Sequence, residues 1–303
     1  MDLNRAVLQL DAAAEPSRLR LLAALLGGET PVGDLVTVLE QSQPRVSRHL
    51  RLLAEAGLLE SFREGRSIFY RWSAEGLDAG VARSVATVAV SDDPTIARDR
   101  ERLLKLARQR ERDALRRALR SGGARGLHGA DGDRLLADVL RATLGTAPLG
   151  VVLHVGCGSG ELLRLLLPEV RLIVGTEPSG HRRQLARARL RRAGLPHWTV
   201  RDAEPTQLPF EPASFDLVIL EDALGRAAES PAVLAEAARL LGPAGRLLIL
   251  DRILPTDSEL AARLAALDLA VTRRQWLPGR APDRALFLAS RPVATNARTG
   301  THD

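Results

Sequence analysis

A chain of 303 residues with 45% hydrophobic and 26% charged residues is long enough for two buried cores and a connector, which excludes a single small domain. Its formal charge of +6 is compatible with a polyanionic partner but does not by itself select nucleic acid. Cys157 is the one cysteine, so an intrachain disulfide and a cysteine-rich metal site are excluded, and a reducing cytoplasm is the expected location. No basic stretch leads into an apolar core at the N-terminus, and neither a signal peptide nor a membrane span is expected.

In chain order, Leu3 to Ala13 predicts a short amphipathic helix with Leu3, Val7 and Leu10 on one side. A second starts at Pro16 or Ser17 and ends at Gly27–Gly28, with Leu19, Leu22, Ala23 and Leu26 inward. A third runs from about Pro31 to Glu40. A fourth runs from Ser42 to Gly57, with Pro44 tolerated in its first turn. Leu58 to Arg63 and Ser67 to Ser73 flank the Glu64–Gly65–Arg66 turn and predict a β-hairpin. Residues 77–90 and 95–120 read as helices, the second highly charged and expected to be a solvated spacer; 121–133 is glycine-rich and predicts a hinge, and 133–144 predicts a helix. From 151, strand-like runs at 151–156, 172–176, 198–201, 215–220, 246–250, 269–276 and 285–289 alternate with helical stretches. They predict a parallel α/β sheet whose last strand, lacking a crossover helix, is antiparallel.

On the fourth helix Val46, Leu50 and Leu53 share the inner face, while Gln43, Ser47 and Arg51, with Arg48 beside them, share the outer one. An amide, a hydroxyl and guanidinium groups along one stripe form a donor and acceptor set suited to base edges and phosphates. Ser42, Arg45 and His49 join that candidate DNA-contact set, and Arg63 and Arg66 flank the hairpin tip. The segments EPSRLRLLAALL, SQPRVSRHLRLLAEAGLLE and EGRSIFYR resemble the ArsR family of winged-helix regulators over residues 5–72. The resemblance implies a homodimer on a double-stranded DNA operator, with helices 3–13 and 77–90 at the dimer interface. Metal-sensing members carry two thiols where this chain has Pro31 and Gly33, so no metal is expected.

In VVLHVGCGSG, Gly156, Gly158 and Gly160 follow a buried strand, giving a turn that a ligand approaches closely. Glu177, followed by Pro178, ends the second strand of this half, where a carboxylate accepts from ribose hydroxyls. Asp202, followed by Ala203, ends the third and can accept from an adenine amino group. With LPFEPASFDLVILEDAL and LAEAARLLGPAGRLLILD, these stretches resemble class I S-adenosylmethionine-dependent methyltransferases over 135–292. The resemblance implies that Gly156, Cys157, Gly158 and Gly160 line the methionine end, that Glu177 holds the ribose and Asp202 the adenine, and that Glu221 faces a methyl acceptor as the candidate catalytic residue. His154 stands where the family has an acid, either as a ligand contact or as a packed core group.

The expected fold is therefore multidomain. An α+β winged helix-turn-helix spans 1–90, a helical connector and hinge 91–132, and an α/β Rossmann-like methyltransferase fold 133–303. The expected function is a DNA-binding regulator whose methyltransferase-like domain binds S-adenosylhomocysteine or S-adenosylmethionine as effector. The alternatives are an active S-adenosylmethionine-dependent methyltransferase with a DNA-binding domain, or a dimer scaffold with a vestigial pocket.

Overall fold

The computed structural model describes residues 3–73, 76, 80–89, 91–120, 130–145, 147–166, 170–194, 197–224, 230–251, 257–277 and 284–292. The heptad-like apolar spacing of the first half gives α1 (Leu3–Ala13), α2 (Pro16–Leu26), β1 (Thr30–Pro31), α3 (Val32–Leu39) and α4 (Gln43–Glu55), followed by β2 (Leu59–Glu64) and β3 (Ser67–Trp72). Glu15 caps α2 by accepting from the Arg18 amide at 2.9 Å. Val46, Leu50 and Leu53 of α4 are fully buried against α2 and α3, as their spacing predicts. On α2 the buried face is Leu21, Leu22, Ala24 and Leu25, whereas Leu19, Ala23 and Leu26 are only partly covered. This helix is packed by α3 and α4 and by the later helices as well, so a one-sided stripe underestimates its burial.

Strands β2 and β3 form the predicted hairpin, and the two-residue β1 adds antiparallel to β3 through Thr30–Tyr70 and Pro31–Phe69. Sequence patterning missed β1, because two residues are too short to show a period. Beyond the hairpin lie α5 (Gly80–Ala89) and α6 (Pro94–Arg120).

Helix α6 corrects an expectation: it is a strut rather than a solvated spacer. Leu103, Ala107 and Ala114 are buried. Asp99 pairs with Arg20 of α2 at 2.7 Å, and Arg102 reaches Glu40 at 2.6 Å and the Val38 carbonyl at 3.0 Å. Arg110 pairs with Asp34 of α3. Arg102 and Arg110 are eight residues apart, which keeps their backbones on one side of the helix. A charged helix with few apolar positions can thus dock through ion pairs that periodicity does not register.

The second half comprises α7 (Ala130–Leu144), β4 (Val151–Val155), α8 (Glu161–Leu166), β5 (Leu172–Thr176), α9 (Gly180–Arg192), β6 (Trp198–Arg201) and β7 (Phe215–Glu221). It continues with α10 (Ser230–Leu240), β8 (Leu241–Asp251), α11 (Asp257–Ala265), β9 (Ala270–Leu277) and β10 (Arg284–Ser290). Its seven strands lie in the order β6-β5-β4-β7-β8-β10-β9. The first five in that order pair in parallel, and β10 runs antiparallel to both β8 and β9. Apolar clusters cover both faces of the sheet. The chain reverses direction of travel across the sheet at β4, which puts a crevice at the carboxyl ends of β4, β5 and β7. The hinge expected at 121–133 is helical from Ala130, where α7 begins ahead of the helix expected at 133–144; residues 121–129 and the segments 77–79, 225–229 and 252–256 lie outside the described residues.

The two halves meet along α9 and β6. Gly28, at φ +96°, turns the chain over Trp198; a Cβ there would come within 2.2 Å of the indole. The next residue, Glu29, is 1% exposed. Its carboxylate accepts from Arg187, Thr199 and, at 3.1 Å, the Val200 amide. Arg187 also stacks on Phe69 of the hairpin, 4.4 Å from the ring centre, and Arg201 stacks on Phe62 at the same distance.

Candidate ligand pocket and nucleic-acid interface

Each candidate pocket residue sits where a parallel strand stops. At the end of β4 the chain enters Gly156, Cys157, Gly158, Ser159 and Gly160, and all three glycines have positive φ. A side chain at Gly160 would press on Ala186 of α9 at 3.1 Å, so the bend lies flat on that helix. Glu177, directly after β5, is 4% exposed. Its Oε2 accepts from the Gly158 amide at 3.1 Å and its Oε1 from the Ser179 amide at 2.9 Å. The carboxylate is therefore held against the glycine bend by two backbone donors, which fixes its orientation without using a flexible partner. Pro178, beside it, is exposed.

Asp202 follows β6 and is mostly exposed, with Ala203 half-buried next to it. Arg183, from α9, donates to Asp202 Oδ2 at 2.8 Å and to the Glu177 carbonyl at 2.6 Å. One guanidinium thus bridges the ends of β5 and β6.

His154 is fully buried, and neither ring nitrogen makes a hydrogen bond among the described residues. Its Nε2 stands 3.3 Å from Glu221 Oε2 at the end of β7. The pair puts a carboxylate beside the glycine bend from β7, in place of an acid on β4. Cys157 is 3% exposed, and its Sγ lies where a Cβ on Gly175 would meet it at 2.8 Å. Burial, reinforced by Glu177 and Glu221, pushes its thiol far above the usual range. Only its backbone is placed to line a pocket; the side chain seals the gap over β5.

On the N-terminal half, Ser42, Gln43, Arg45, Arg48 and Arg51 are exposed on α4, and Ser47 is half-buried between them. Arg63 and Arg66 are exposed at the hairpin tip, where Arg63 donates across the turn to the Gly65 carbonyl at 3.2 Å. His49 is not brought together with them. It turns toward Glu15, the cap of α2, with Nδ1 3.8 Å from the carboxylate, and burial lowers its pKa.

The arginines of α9 were not singled out by sequence reading. Arg183, Arg187 and Arg191 recur every fourth residue and so share a face. That face meets the first half: Arg191 donates to the Glu29 carbonyl and to Thr30 Oγ1, and Arg187 to Glu64 Oε1 and Oε2 at 3.0 and 2.6 Å. The four-residue arginine spacing was the available signal. In HRRQLARARLRR it is diluted by three more arginines, Arg182, Arg189 and Arg192, at other angles.

Residues 15–61 match the family described as bacterial regulatory protein, arsR family, and residues 153–249 match a methyltransferase domain family. The chain is 44% identical over 62 residues to a biofilm growth-associated repressor of Agrobacterium fabrum, covering 20% of this chain and 53% of that protein. It is 48% identical over 61 residues to the arsenical resistance operon repressor of Escherichia coli, covering 20% and 52%. It is 39% identical over 75 residues to the transcriptional activator HlyU of Vibrio cholerae, covering 25% and 69%. The chain spans about half the length of the first two of these relatives. Among solved structures, the magnesium protoporphyrin IX methyltransferase of Synechocystis with bound SAH is 19% identical with a TM-score of 0.48, covering 59% of this chain and 93% of that one.

Proposed function

Because the chain belongs to the arsR family of bacterial regulatory proteins and carries a methyltransferase domain behind its winged helix, we propose that it is a transcriptional regulator with an adenosyl effector. In this reading it binds a double-stranded DNA operator as a homodimer, and S-adenosylhomocysteine or S-adenosylmethionine occupies the crevice of the second domain. The observation that carries the proposal is the attachment of Glu177 to the Gly158 amide at 3.1 Å. It brings a ribose-binding type of carboxylate to a side-chain-free bend at the sheet's switch point.

The residues fit such a ligand. Gly156, Gly158 and Gly160 give the thioether chain close backbone approach, Glu177 takes the ribose hydroxyls and Asp202 the adenine amino group. Glu221 supplies negative charge for the ligand's ammonium group, the role left open by His154. Glu221 is engaged with a buried imidazole at 3.3 Å, which favours a holding role over proton transfer to an acceptor. For DNA, the exposed stripe Gln43, Arg45, Arg48 and Arg51 enters the major groove and Arg63 and Arg66 flank the wing. His49, turned inward, is left out of that set. The homodimer reading is supported by α1, whose Leu3, Val7, Leu8 and Leu10 are all more than half exposed on an otherwise ordered helix. Domain limits of 1–90, 91–132 and 133–303 serve this reading.

The test is a titration of operator affinity with S-adenosylhomocysteine. The affinity is expected to change about 5- to 150-fold at saturation, the usual span of coupling between two sites, and the response is expected to be blunted in Glu177→Ala. Operator affinity that is indifferent to saturating ligand overturns the effector reading. Methylated product from labelled S-adenosylmethionine at catalytic rates replaces it with an enzyme.

A further inference from the structure

We propose that Arg183 and Glu64 form the link through which the adenosyl pocket acts on the DNA-reading wing, with Arg183 as a positioning residue that touches both. This deepens the effector reading and rests on it. Glu64 is the last residue of β2, one position before the Gly65 turn and between the exposed Arg63 and Arg66. It points away from solvent and into the second domain. Arg187 grips both of its oxygens at 3.0 and 2.6 Å, and Arg183 Nε donates to Oε1 at 3.2 Å.

Arg183 is 5% exposed, and each of its three nitrogens has a different acceptor: Glu64 on the wing, the Glu177 carbonyl and Asp202 Oδ2. A buried guanidinium presents its donors in a rigid plane. It cannot follow Asp202 without turning the donor it offers to Glu64. An adenine amino group approaching Asp202 meets a carboxylate that Arg183 already holds, and the ribose hydroxyls approach the residue whose carbonyl Arg183 also holds. Occupancy of the pocket therefore redistributes the donors of Arg183 and alters the grip on Glu64. The orientation of the tip that carries Arg63 and Arg66 changes with it. Arg187, tied to buried Glu29 and stacked on Phe69, keeps the root of the wing in place while this occurs.

The experiment uses the full chain, S-adenosylhomocysteine as the probe, and a duplex selected by the chain from a random library. Ligand affinity is measured by calorimetry, and duplex affinity with and without saturating probe. Glu64→Gln keeps the size of the side chain and makes no contact with the pocket carboxylates. It is expected to bind S-adenosylhomocysteine within about threefold of wild type while the ligand-induced change in duplex affinity falls to less than a third of the wild-type factor. Arg183→Lys, which keeps the charge but not the three-way fork, is expected to lose the same response. Hydrogen exchange at amides 62–69 is expected to respond to the probe in wild type and not in Glu64→Gln. Normal ligand binding with a wild-type coupling factor in Glu64→Gln overturns the link and leaves the effector reading standing. A wild-type chain that takes up no S-adenosylhomocysteine overturns the pocket reading and the link together.

Discussion

Glu29 shows how much one side chain carries at the boundary between the halves. Its buried carboxylate accepts from Arg187, Thr199 and the Val200 amide, all from the second domain. Removing one partner of a buried pair leaves the other charge short of compensation. Glu29→Ala is expected to lower stability by about 3 kcal/mol, read as a fall in the urea midpoint for separating the halves. Glu64 adds a pH dependence. Burial raises its carboxyl, but Arg187 and Arg183 beside it outweigh that and hold it below the usual range. A folded value below the unfolded one stabilises at pH above the ordinary carboxylate range, about 4.3 for Glu. That contribution is lost as pH falls below it, through the depressed value. Docking of the wing, followed by hydrogen exchange, is expected to loosen on acidification, and Glu64→Gln to lose that dependence. On the DNA face, Arg45→Ala is expected to weaken binding across sequences and to reduce the slope of log affinity against log salt by about 1.

Elements were legible where a period survived and illegible where charge replaced it. The buried triad of α4, the hairpin turn and the strands at 172–176 and 198–201 were read from the residues, because each presents a clean helical or extended pattern with turn signals at its ends. The glycine bend and Glu177 were legible for the same reason, since each follows a short β-branched run. What escaped was the cross-domain chemistry. Glu29 sits in a two-residue strand context, Glu64 looks like an ordinary turn acid, and Arg183 and Arg187 lie in a helix whose overall polarity reads as solvated. Their burial follows from contact between segments more than a hundred residues apart, and the only local trace of it is the four-residue spacing of the α9 arginines. Gly28 belongs at this scale too. Replacing it by Ala adds a Cβ at φ +96° that meets the Trp198 ring. Beyond about 1 kcal/mol for the backbone alone, the β1–β6 junction must separate. Gly28→Ala is expected to open this boundary, seen as faster proteolysis within α6 or the wing.

Across the whole molecule, the two halves are coupled along one face, while α1 of the winged helix is left exposed by the described residues. Helix α1 leaves Leu3 79% exposed with Val7, Leu8 and Leu10 alongside. In the proposed homodimer, joining two copies there would bring the two α4 helices onto one duplex, which a dimeric reader needs about 34 Å apart. Replacing Val7 and Leu10 by Glu is expected to give monomers by sedimentation and to weaken duplex binding at least tenfold, with S-adenosylhomocysteine binding retained. No helix among the described residues is long and apolar enough to cross a membrane.

The lone thiol has a practical corollary. Closed off beneath the glycine bend and held protonated, Cys157 is inaccessible to alkylating reagents while the fold is intact. The native chain is in effect a cysteine-free background. A single new cysteine at Arg66 would take a fluorophore or spin label alone, so that movement of the hairpin tip becomes an optical or magnetic signal without any other residue being altered.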